Sequence, residues 1–213
     1  MFSLQALQPG KMTMKTLMMT AWLSLCLSSG LYALDNGKPL PALETIDIQG
    51  KAVKSADLKD KIVVFEWTNK DCPFVKKHYS SGNMQKLQTF AAGKDIVWIS
   101  VCSQGEGKNG HVNAEQAAKW LEEQKAKPSH YLLDAAGTLA EALGAKVTPH
   151  IFIFDKKGIL VYQGAVDDNK DANPQSVAAA NNLVQAALDE LLAGKPVSKA
   201  SCTPYGCGVK YGK

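Results

Sequence analysis

The sequence contains no arginine: all 24 of its basic residues are lysines, against 20 acidic residues in 213. Arginine makes most of the paired contacts by which proteins hold bases and phosphates, so its absence argues against nucleic-acid binding. The lysines are scattered among the acids and form no basic stripe. A hydrophobic content of 46% and a charged content of 21% are typical of a globular protein.

The N-terminal apolar segment, residues 17–27, is too short to span a membrane comfortably as a helix. It follows Lys11 and Lys15 and precedes small residues, which is the pattern of a secretory signal peptide. We therefore expect residues 1–33 to be removed by cleavage after Ala33. The mature protein would then lie outside the cytoplasm, in the periplasm if the source is a bacterium. A buried helix is the alternative interpretation of this segment.

Four cysteines would remain in the mature chain, namely Cys72, Cys102, Cys202 and Cys207. An even number of cysteines in an exported chain permits disulfides, but their spacing does not define the pairing.

Strand and helix patterns alternate along residues 34–196. Apolar runs predict strands at residues 62–65, 96–102, 131–133, 150–154 and 159–162. A hairpin across residues 45–53 precedes them, and a final helix is expected to begin at Pro174 and end at Gly194. This order predicts an α/β domain with a mixed central sheet and helices on both faces, followed by a cysteine-containing tail at residues 197–213.

Cys72 stands where the first strong strand stops and a helix begins. Pro73 suits the first turn of a helix, because its missing N–H would have no partner there anyway. Free backbone N–H groups and the positive end of the helix dipole favour a thiolate at this position, and Lys76 and Lys77 add positive charge on the next turn. We interpret Cys72 as a reactive thiol, although a small buried cysteine is the ordinary alternative.

Two histidines could lie close to Cys72 in the folded chain. His78 lies six residues beyond it, and His150 opens a strand. Together with the thiol they would make a nitrogen and sulfur site suited to copper. Packing roles are favoured for both histidines, so no metal site is predicted.

Several further residues have structural interpretations at this stage. Asp167 and Asp168 follow a strand and fit a turn, with proton transfer by one of them as the minority alternative. Cys102 ends a strand and is interpreted as a buried structural thiol. The polar loop at residues 103–112 has no phosphate-binding spacing and is interpreted as surface.

The tail leaves two arrangements open. Cys202 and Cys207 could close a small loop disulfide in an oxidising compartment. Alternatively, Cys207 could fold back and act as the resolving partner of Cys72. We favour a redox role, because the tail carries half of the mature cysteines on polar sequence of mobile character.

The order of these elements, with Cys72 at a strand-to-helix turn and Thr148-Pro149 before a strand, resembles the thioredoxin fold. Closer still, the segments 72–76, 148–149, 164–168 and 206–211 resemble the peroxiredoxin-like redoxin family, in the group of alkyl hydroperoxide reductases and thiol-specific antioxidants. The resemblance implies a cis proline at Pro149 lying against the reactive cysteine. Together with the redox role favoured for the tail, the resemblance leads us to expect a catalytic site made of Cys72, Thr148, Pro149 and Cys207.

The sequence also departs from its relatives. Thioredoxins carry a second cysteine three residues after the first, where Val75 stands here. Peroxiredoxins place threonine or serine three residues before the reactive cysteine and proline four residues earlier, where Asn69 and Phe65 stand, and they use a distant arginine. Because a peroxide is polarised by such groups, efficient peroxidase activity is not expected.

The sequence therefore predicts an exported thiol–disulfide redox protein that uses Cys72 as a single nucleophile without a cofactor. Its expected partners are a thiol or disulfide protein or a small-molecule oxidant, together with a reducing protein, and neither nucleic acid nor, after cleavage, a membrane. A non-catalytic thioredoxin-fold scaffold and a copper-handling chaperone are the competing hypotheses.

Overall fold

A computed structural model describes residues 34–212; the predicted signal peptide lies outside the described residues. The strands, in chain order, are β1 (Glu44–Ile46), β2 (Ala52–Lys54), β3 (Val63–Trp67), β4 (Val97–Cys102), β5 (His130–Leu133), β6 (Val147–Thr148), β7 (His150–Phe154), β8 (Leu160–Gly164) and β9 (Cys207–Gly208). The α-helices are α1 (Pro73–Ser80), α2 (Asn83–Ala92), α3 (Ala114–Glu123), α4 (Thr138–Leu143) and α5 (Leu183–Leu192).

A five-stranded mixed sheet forms the centre of the fold, in the order β5-β4-β3-β7-β8. Strands β3, β4 and β5 are parallel, whereas β7 pairs antiparallel with both β3 and β8. The predicted N-terminal hairpin is present as the antiparallel pair of β1 and β2. The α/β class and the mixed sheet flanked by helices are confirmed.

Strand β3 is buried at every position, so its alternating side chains serve two separate hydrophobic layers. Val64 faces a layer built by α1, α2, α3 and α5, including Tyr79, Leu87 and Leu188. Phe65 faces the other layer, which α4 and the hairpin cover. The layer with α1 fixes the helix that carries the reactive cysteine.

The last helix begins later than the sequence predicts. Pro174 opens a short 3-10 helix, Pro174–Ala179, and α5 starts only at Leu183. Ala180 is extended, and Asp168 holds the next residue by accepting the Asn181 backbone N–H at 2.9 Å. The side chain of Asn182 then caps α5. The break therefore comes from contacts distant in sequence, which a helical pattern does not reveal.

The loop at residues 103–112 is not all surface. Ser103 and Gln104 are buried, because the tail lies over this loop. The backbone N–H of Gly105 donates to the carbonyl of Lys210 at 2.8 Å, and the Lys210 N–H donates to the side-chain oxygen of Gln104 at 3.2 Å.

The tail is packed, in contrast to the mobile character suggested by its composition. Its strand β9 pairs antiparallel with β6, and further along the Gly212 N–H donates to the carbonyl of Ala135 at 2.9 Å. None of the helices within residues 34–212 is long and apolar enough to cross a membrane.

Candidate active site

Cys72 is the N-cap residue of α1, and Pro73 occupies the first turn as predicted. The Cys72 side chain is only 1% exposed. Its thiol donates to the backbone carbonyl of Thr148 at 3.0 Å. The sulfur therefore lies between the positive end of a helix and a carbonyl from a different part of the chain.

That carbonyl belongs to the short strand β6, which ends where Pro149 begins. The peptide bond between Thr148 and Pro149 is cis, as the family resemblance implies. Thr148 is fully buried. Strand β6 therefore presents the backbone immediately before the proline to the reactive thiol.

The tail completes this arrangement through strand β9, in which Cys207 is the backbone partner of Thr148. The Thr148 hydroxyl also donates to the Cys207 carbonyl at 3.4 Å. Burial, with a smaller contribution from the nearby Cys72 thiol, raises the pKa of Cys207 to about 12. Both cysteines are free thiols. The structure thus brings together all four predicted site residues: Cys72, Thr148, Pro149 and Cys207.

Gly206 allows the close approach of the tail to β6. Its φ of +148° lies in a region that residues with a side chain rarely adopt. A Cβ at this position would lie 2.0 Å from the carbonyl oxygen of Thr148. Only glycine permits Cys207 to reach its place beside Cys72 along this path.

The other two cysteines have separate environments. Cys202 lies against the end of β8, where its sulfur accepts the Ala165 N–H at 3.1 Å and contacts the Tyr162 hydroxyl at 3.3 Å. Cys102 is buried beside the carbonyl of Gly110, at 3.6 Å, and burial raises its pKa. The interpretation of Cys102 as a buried structural thiol agrees with this position.

A buried ion pair lies on the same helix as Cys72. Lys77 and Asp167 are 3.0 Å apart with side chains 0% and 2% exposed. Lys77 also donates to the backbone carbonyl of Asn169 and to the hydroxyl of Tyr205, the latter at 3.1 Å. The charge of Lys77 is therefore matched by Asp167, which offsets the positive field that Lys77 was expected to add at Cys72.

Sequence reasoning missed this ion pair. Lys77 stands between two other polar residues in the sequence, and its partners Asp167 and Tyr205 lie 90 and 128 positions away. The favoured interpretation of Asp167 as a turn residue is incomplete: its carboxylate accepts the Asn169 backbone N–H at 3.1 Å, as in an Asx turn, but it is also buried and paired with Lys77. Asp168 does serve a local role, since it holds the residues before α5.

Both histidines considered for copper make other contacts. The Nε2 of His78 lies 3.2 Å from the Tyr205 hydroxyl and its Nδ1 lies 2.9 Å from the Asn83 amide. His150 packs on the ring of Phe152, with 4.3 Å between ring centroids. Burial lowers the pKa of His78 to about 4 and that of His150 to about 3. Over residues 34–212 no group of three or more His, Cys, Asp and Glu side chains is arranged to hold a metal ion.

Glu66 is a second buried charged residue that the sequence reasoning did not single out. It lies on β3 and is fully buried. It accepts hydrogen bonds from Tyr79, Trp98 and Ser100 at 2.8 to 2.9 Å. Burial raises its pKa despite these donors. Its contacts link β3, β4 and α1, so it stabilises the scaffold behind the site.

The mixed sheet, the thiol at the start of α1 and the cis proline facing it define a protein of the thioredoxin superfamily. The family model described as Redoxin matches residues 35–183, more than half of the chain. The chain belongs to the redoxin family. A comparison with curated protein sequences gave no significant match.

Similar folds occur among solved structures. One is a hypothetical protein from Sinorhizobium meliloti, with a TM-score of 0.72, 24% identity and coverage of 85% of this chain and 97% of that chain. Another is an uncharacterized conserved protein from Geobacillus kaustophilus, with a TM-score of 0.71, 28% identity and coverage of 84% and 93%. The thioredoxin domain of a thiol-disulfide oxidoreductase from Bacteroides vulgatus gives a TM-score of 0.51 at 22% identity, covering 69% of this chain and 98% of that domain. These likenesses support the thioredoxin-like fold.

Proposed function

We propose that the protein is an exported thiol–disulfide oxidoreductase in which Cys72 is the nucleophile and Cys207 is the resolving cysteine. The observation that carries this proposal is that Thr148 holds both cysteines: its carbonyl accepts the Cys72 thiol at 3.0 Å, and Cys207 is its backbone partner across β6 and β9. Two thiols placed on either side of the same residue need little movement to form a disulfide. The missing local dithiol, with Val75 in place of a second cysteine, is thereby replaced by a partner from the tail.

The chemistry proceeds in two exchanges. The Cys72 thiolate attacks one sulfur of a substrate disulfide, which gives a mixed disulfide and releases the other substrate sulfur as a thiolate. Cys207 loses its proton and attacks the Cys72 sulfur, which releases the second substrate thiolate and forms the Cys72–Cys207 disulfide. Two electrons pass from the protein to the substrate, and each released thiolate takes up a proton. A dithiol protein of the thioredoxin class would return the pair to the reduced state.

Geometry at Cys72 supports its role as the nucleophile. The sulfur lies at the N-terminus of α1, where unpaired N–H groups and the helix dipole stabilise negative charge. Burial raises the pKa of Cys207, so its thiol has to lose a proton before it can act as the resolving nucleophile.

Disulfide mapping of the mature protein tests this function. After mild oxidation we expect a Cys72–Cys207 bridge. Cys207→Ser should leave Cys72 in a mixed disulfide or as sulfenic acid and stop turnover with a disulfide substrate. Cys202→Ser is the matched control, because it removes the other tail thiol, which lies against β8, and it should leave turnover unchanged.

A map that contains only a Cys202–Cys207 bridge, together with normal turnover of Cys207→Ser, would contradict the resolving role. Absence of any turnover in the wild-type protein would favour the scaffold hypothesis instead.

Export is the other part of the proposal, and it is supported by the lysine-flanked apolar segment at residues 17–27. N-terminal sequencing of the protein from its native cells should begin near Leu34. Cytoplasmic protein with the N-terminal segment intact would contradict export without affecting the redox chemistry.

A further inference from the structure

Tyr205 of the tail inserts its hydroxyl into a cluster of three buried side chains, Lys77, His78 and Asp167, which we call the polar socket. The hydroxyl lies 3.1 Å from the Lys77 ammonium and 3.2 Å from the His78 Nε2. It also donates to the carboxylate of Asp167. One hydroxyl from the tail therefore contacts every side chain of the socket.

The three side chains of the polar socket come from the domain, and the hydroxyl that completes their hydrogen bonds comes from the tail. Lys77 and Asp167 are both almost fully buried, and buried charged groups need hydrogen-bond partners to offset the loss of water. The Tyr205 hydroxyl accepts from Lys77 and donates to Asp167, so it partners both charges at once. Hydrogen bonds to charged groups are the strong ones in proteins. Tyr205 is thus a strong anchor for the tail.

This anchor is close to the reactive pair in sequence and in space. Only Gly206 separates Tyr205 from Cys207, and Gly206 is confined by its approach to the Thr148 carbonyl. The Tyr205 ring also meets the ring of Phe74 edge-on, with 5.6 Å between centroids. Phe74 is in the first turn of α1, two residues after Cys72. The position of Tyr205 therefore sets the position of Cys207 relative to Cys72.

We propose that Tyr205 is a positioning residue whose hydroxyl, held in the polar socket, keeps Cys207 against Cys72. This role rests on the proposed function, since it gives the resolving thiol a high effective concentration at the nucleophile. Tyr205 acts through Cys207 and does not contact the substrate. The tail is then part of the redox site, because it supplies both the anchor, Tyr205, and the resolving thiol, Cys207.

Equilibration with glutathione measures this effect directly. Two thiols of the protein and one oxidised glutathione give the Cys72–Cys207 disulfide and two reduced glutathiones, so atoms and electrons balance. The equilibrium constant is the effective concentration of Cys207 at Cys72, and peptide mapping after an acid quench gives the populations. Tyr205→Phe keeps the ring contact with Phe74 and removes only the hydroxyl. We expect it to lower this constant by about tenfold or more.

Tyr211→Phe is the matched control. It removes a hydroxyl from the same tail, but the Tyr211 ring lies beside Gly137, away from the polar socket. Its equilibrium constant should equal that of the wild-type protein. Urea unfolding of each reduced variant separates positioning from general destabilisation, since a structural role alone moves the unfolding midpoint and leaves the glutathione equilibrium of the folded protein unchanged.

The double variant Lys77→Met with Asp167→Leu removes both charged partners of the Tyr205 hydroxyl without leaving either charge buried alone, and it provides the answer if Tyr205→Phe fails to fold. It too should lower the equilibrium constant, and combining it with Tyr205→Phe should add less than the two separate effects. An unchanged constant in the folded variant would overturn the positioning role while leaving the proposed function intact. Failure of the wild-type protein to form the disulfide would instead overturn the proposed function, and the positioning role with it.

Discussion

Thr148 and Cys207 face each other as backbone partners in the two-stranded sheet of β6 and β9. The Thr148 carbonyl also accepts the Cys72 thiol hydrogen bond. Thr148, the residue that precedes the cis proline, therefore contacts both cysteines of the proposed redox pair. The arrangement makes the tail, the proline segment and the start of α1 a single structural unit.

Gly206→Ala is predicted to disrupt that unit. The new Cβ would meet the Thr148 carbonyl at 2.0 Å and would force a backbone with φ of +148° onto a residue that disfavours it. Such strain is worth about 1–3 kcal/mol, so the Cys72–Cys207 disulfide should form at least roughly fivefold less readily in a glutathione buffer. Gly208→Ala is the control, because a Cβ there meets nothing within 4 Å. Equal behaviour of the two alanine variants would show that the tail path is less confined than the structure indicates.

The buried ion pair should be costly to break from one side only. Lys77→Met leaves the Asp167 carboxylate buried without its counter-charge and is expected to lower the free energy of unfolding by about 3–5 kcal/mol. The double variant Lys77→Met with Asp167→Leu should recover much of this loss. Lys54→Met, which breaks the exposed pair with Glu44, should change stability by less than about 1 kcal/mol. Urea unfolding monitored by tryptophan fluorescence measures all three, and a single variant as stable as the surface control would refute the prediction.

Stability should fall as pH falls from neutrality towards 4. Burial is the main cause that lowers the folded-state pKa of His78 from 6.5 to about 4, with Asp167 opposing the shift and Lys77 adding to it. Between these two values the unfolded chain binds more protons than the folded chain. The stabilising contribution of His78 is therefore fully present above about pH 6.5 and is lost as the pH falls to about 4. Each unit of pKa difference corresponds to about 1.4 kcal/mol.

Unfolding free energies of the wild-type protein and of His78→Gln, measured across this range, test the assignment. The variant should show a shallower pH slope whatever its absolute stability. Parallel slopes would mean that His78 does not titrate in this way. His150, whose pKa is lowered to about 3 by burial, should contribute in the same direction and extend the loss to lower pH.

Peroxide reduction is predicted to be slow. The sequence offers no arginine to polarise a peroxide, and the side chain of Asn69 is occupied by the Asp71 N–H at 2.9 Å and the carbonyl of Asn109 at 3.4 Å. Loss of one such stabilising donor typically lowers a rate by about 100-fold or more. We therefore expect the second-order rate constant with hydrogen peroxide to lie at least about 100-fold below that of a peroxiredoxin assayed in parallel. Stopped-flow competition, with Cys72→Ser as the blank, provides the measurement.

Local sequence patterns were sufficient for much of the fold. The apolar run before Cys72 and the proline after it predicted β3 and the start of α1, because strand burial and helix initiation depend on neighbouring residues. The capping box of α3, in which Asn113 and Gln116 exchange hydrogen bonds, is a signature of four residues and can be recognised alone. Local sequence identified Cys72, the cysteine content of the tail suggested Cys207, and family resemblance added Thr148 and Pro149; the roles of all four stay a prediction.

Contacts between distant segments could not be predicted in this way. Lys77 follows another lysine in a polar stretch, and only the folded chain shows that Asp167 and Tyr205 surround it. The same applies to α5, whose late start depends on a bond between Asp168 and Asn181. Tail packing on the loop at residues 103–112 also depends on pairing across the whole chain. Such partners leave no periodic signal, because each pair is set by the tertiary arrangement.

The redoxin match ends at residue 183, whereas Tyr205 and Cys207 lie beyond it. A survey of relatives limited to the matched region would therefore classify this chain as a redoxin that lacks a second thiol beside its helical cysteine. Cysteine spacing along the sequence would therefore place this chain apart from a protein whose second cysteine lies close to the first in sequence, even where the two cysteine pairs occupy the same place in the fold. Comparing the residue that pairs with the segment before the cis proline, here Cys207, would group such proteins by their chemistry instead.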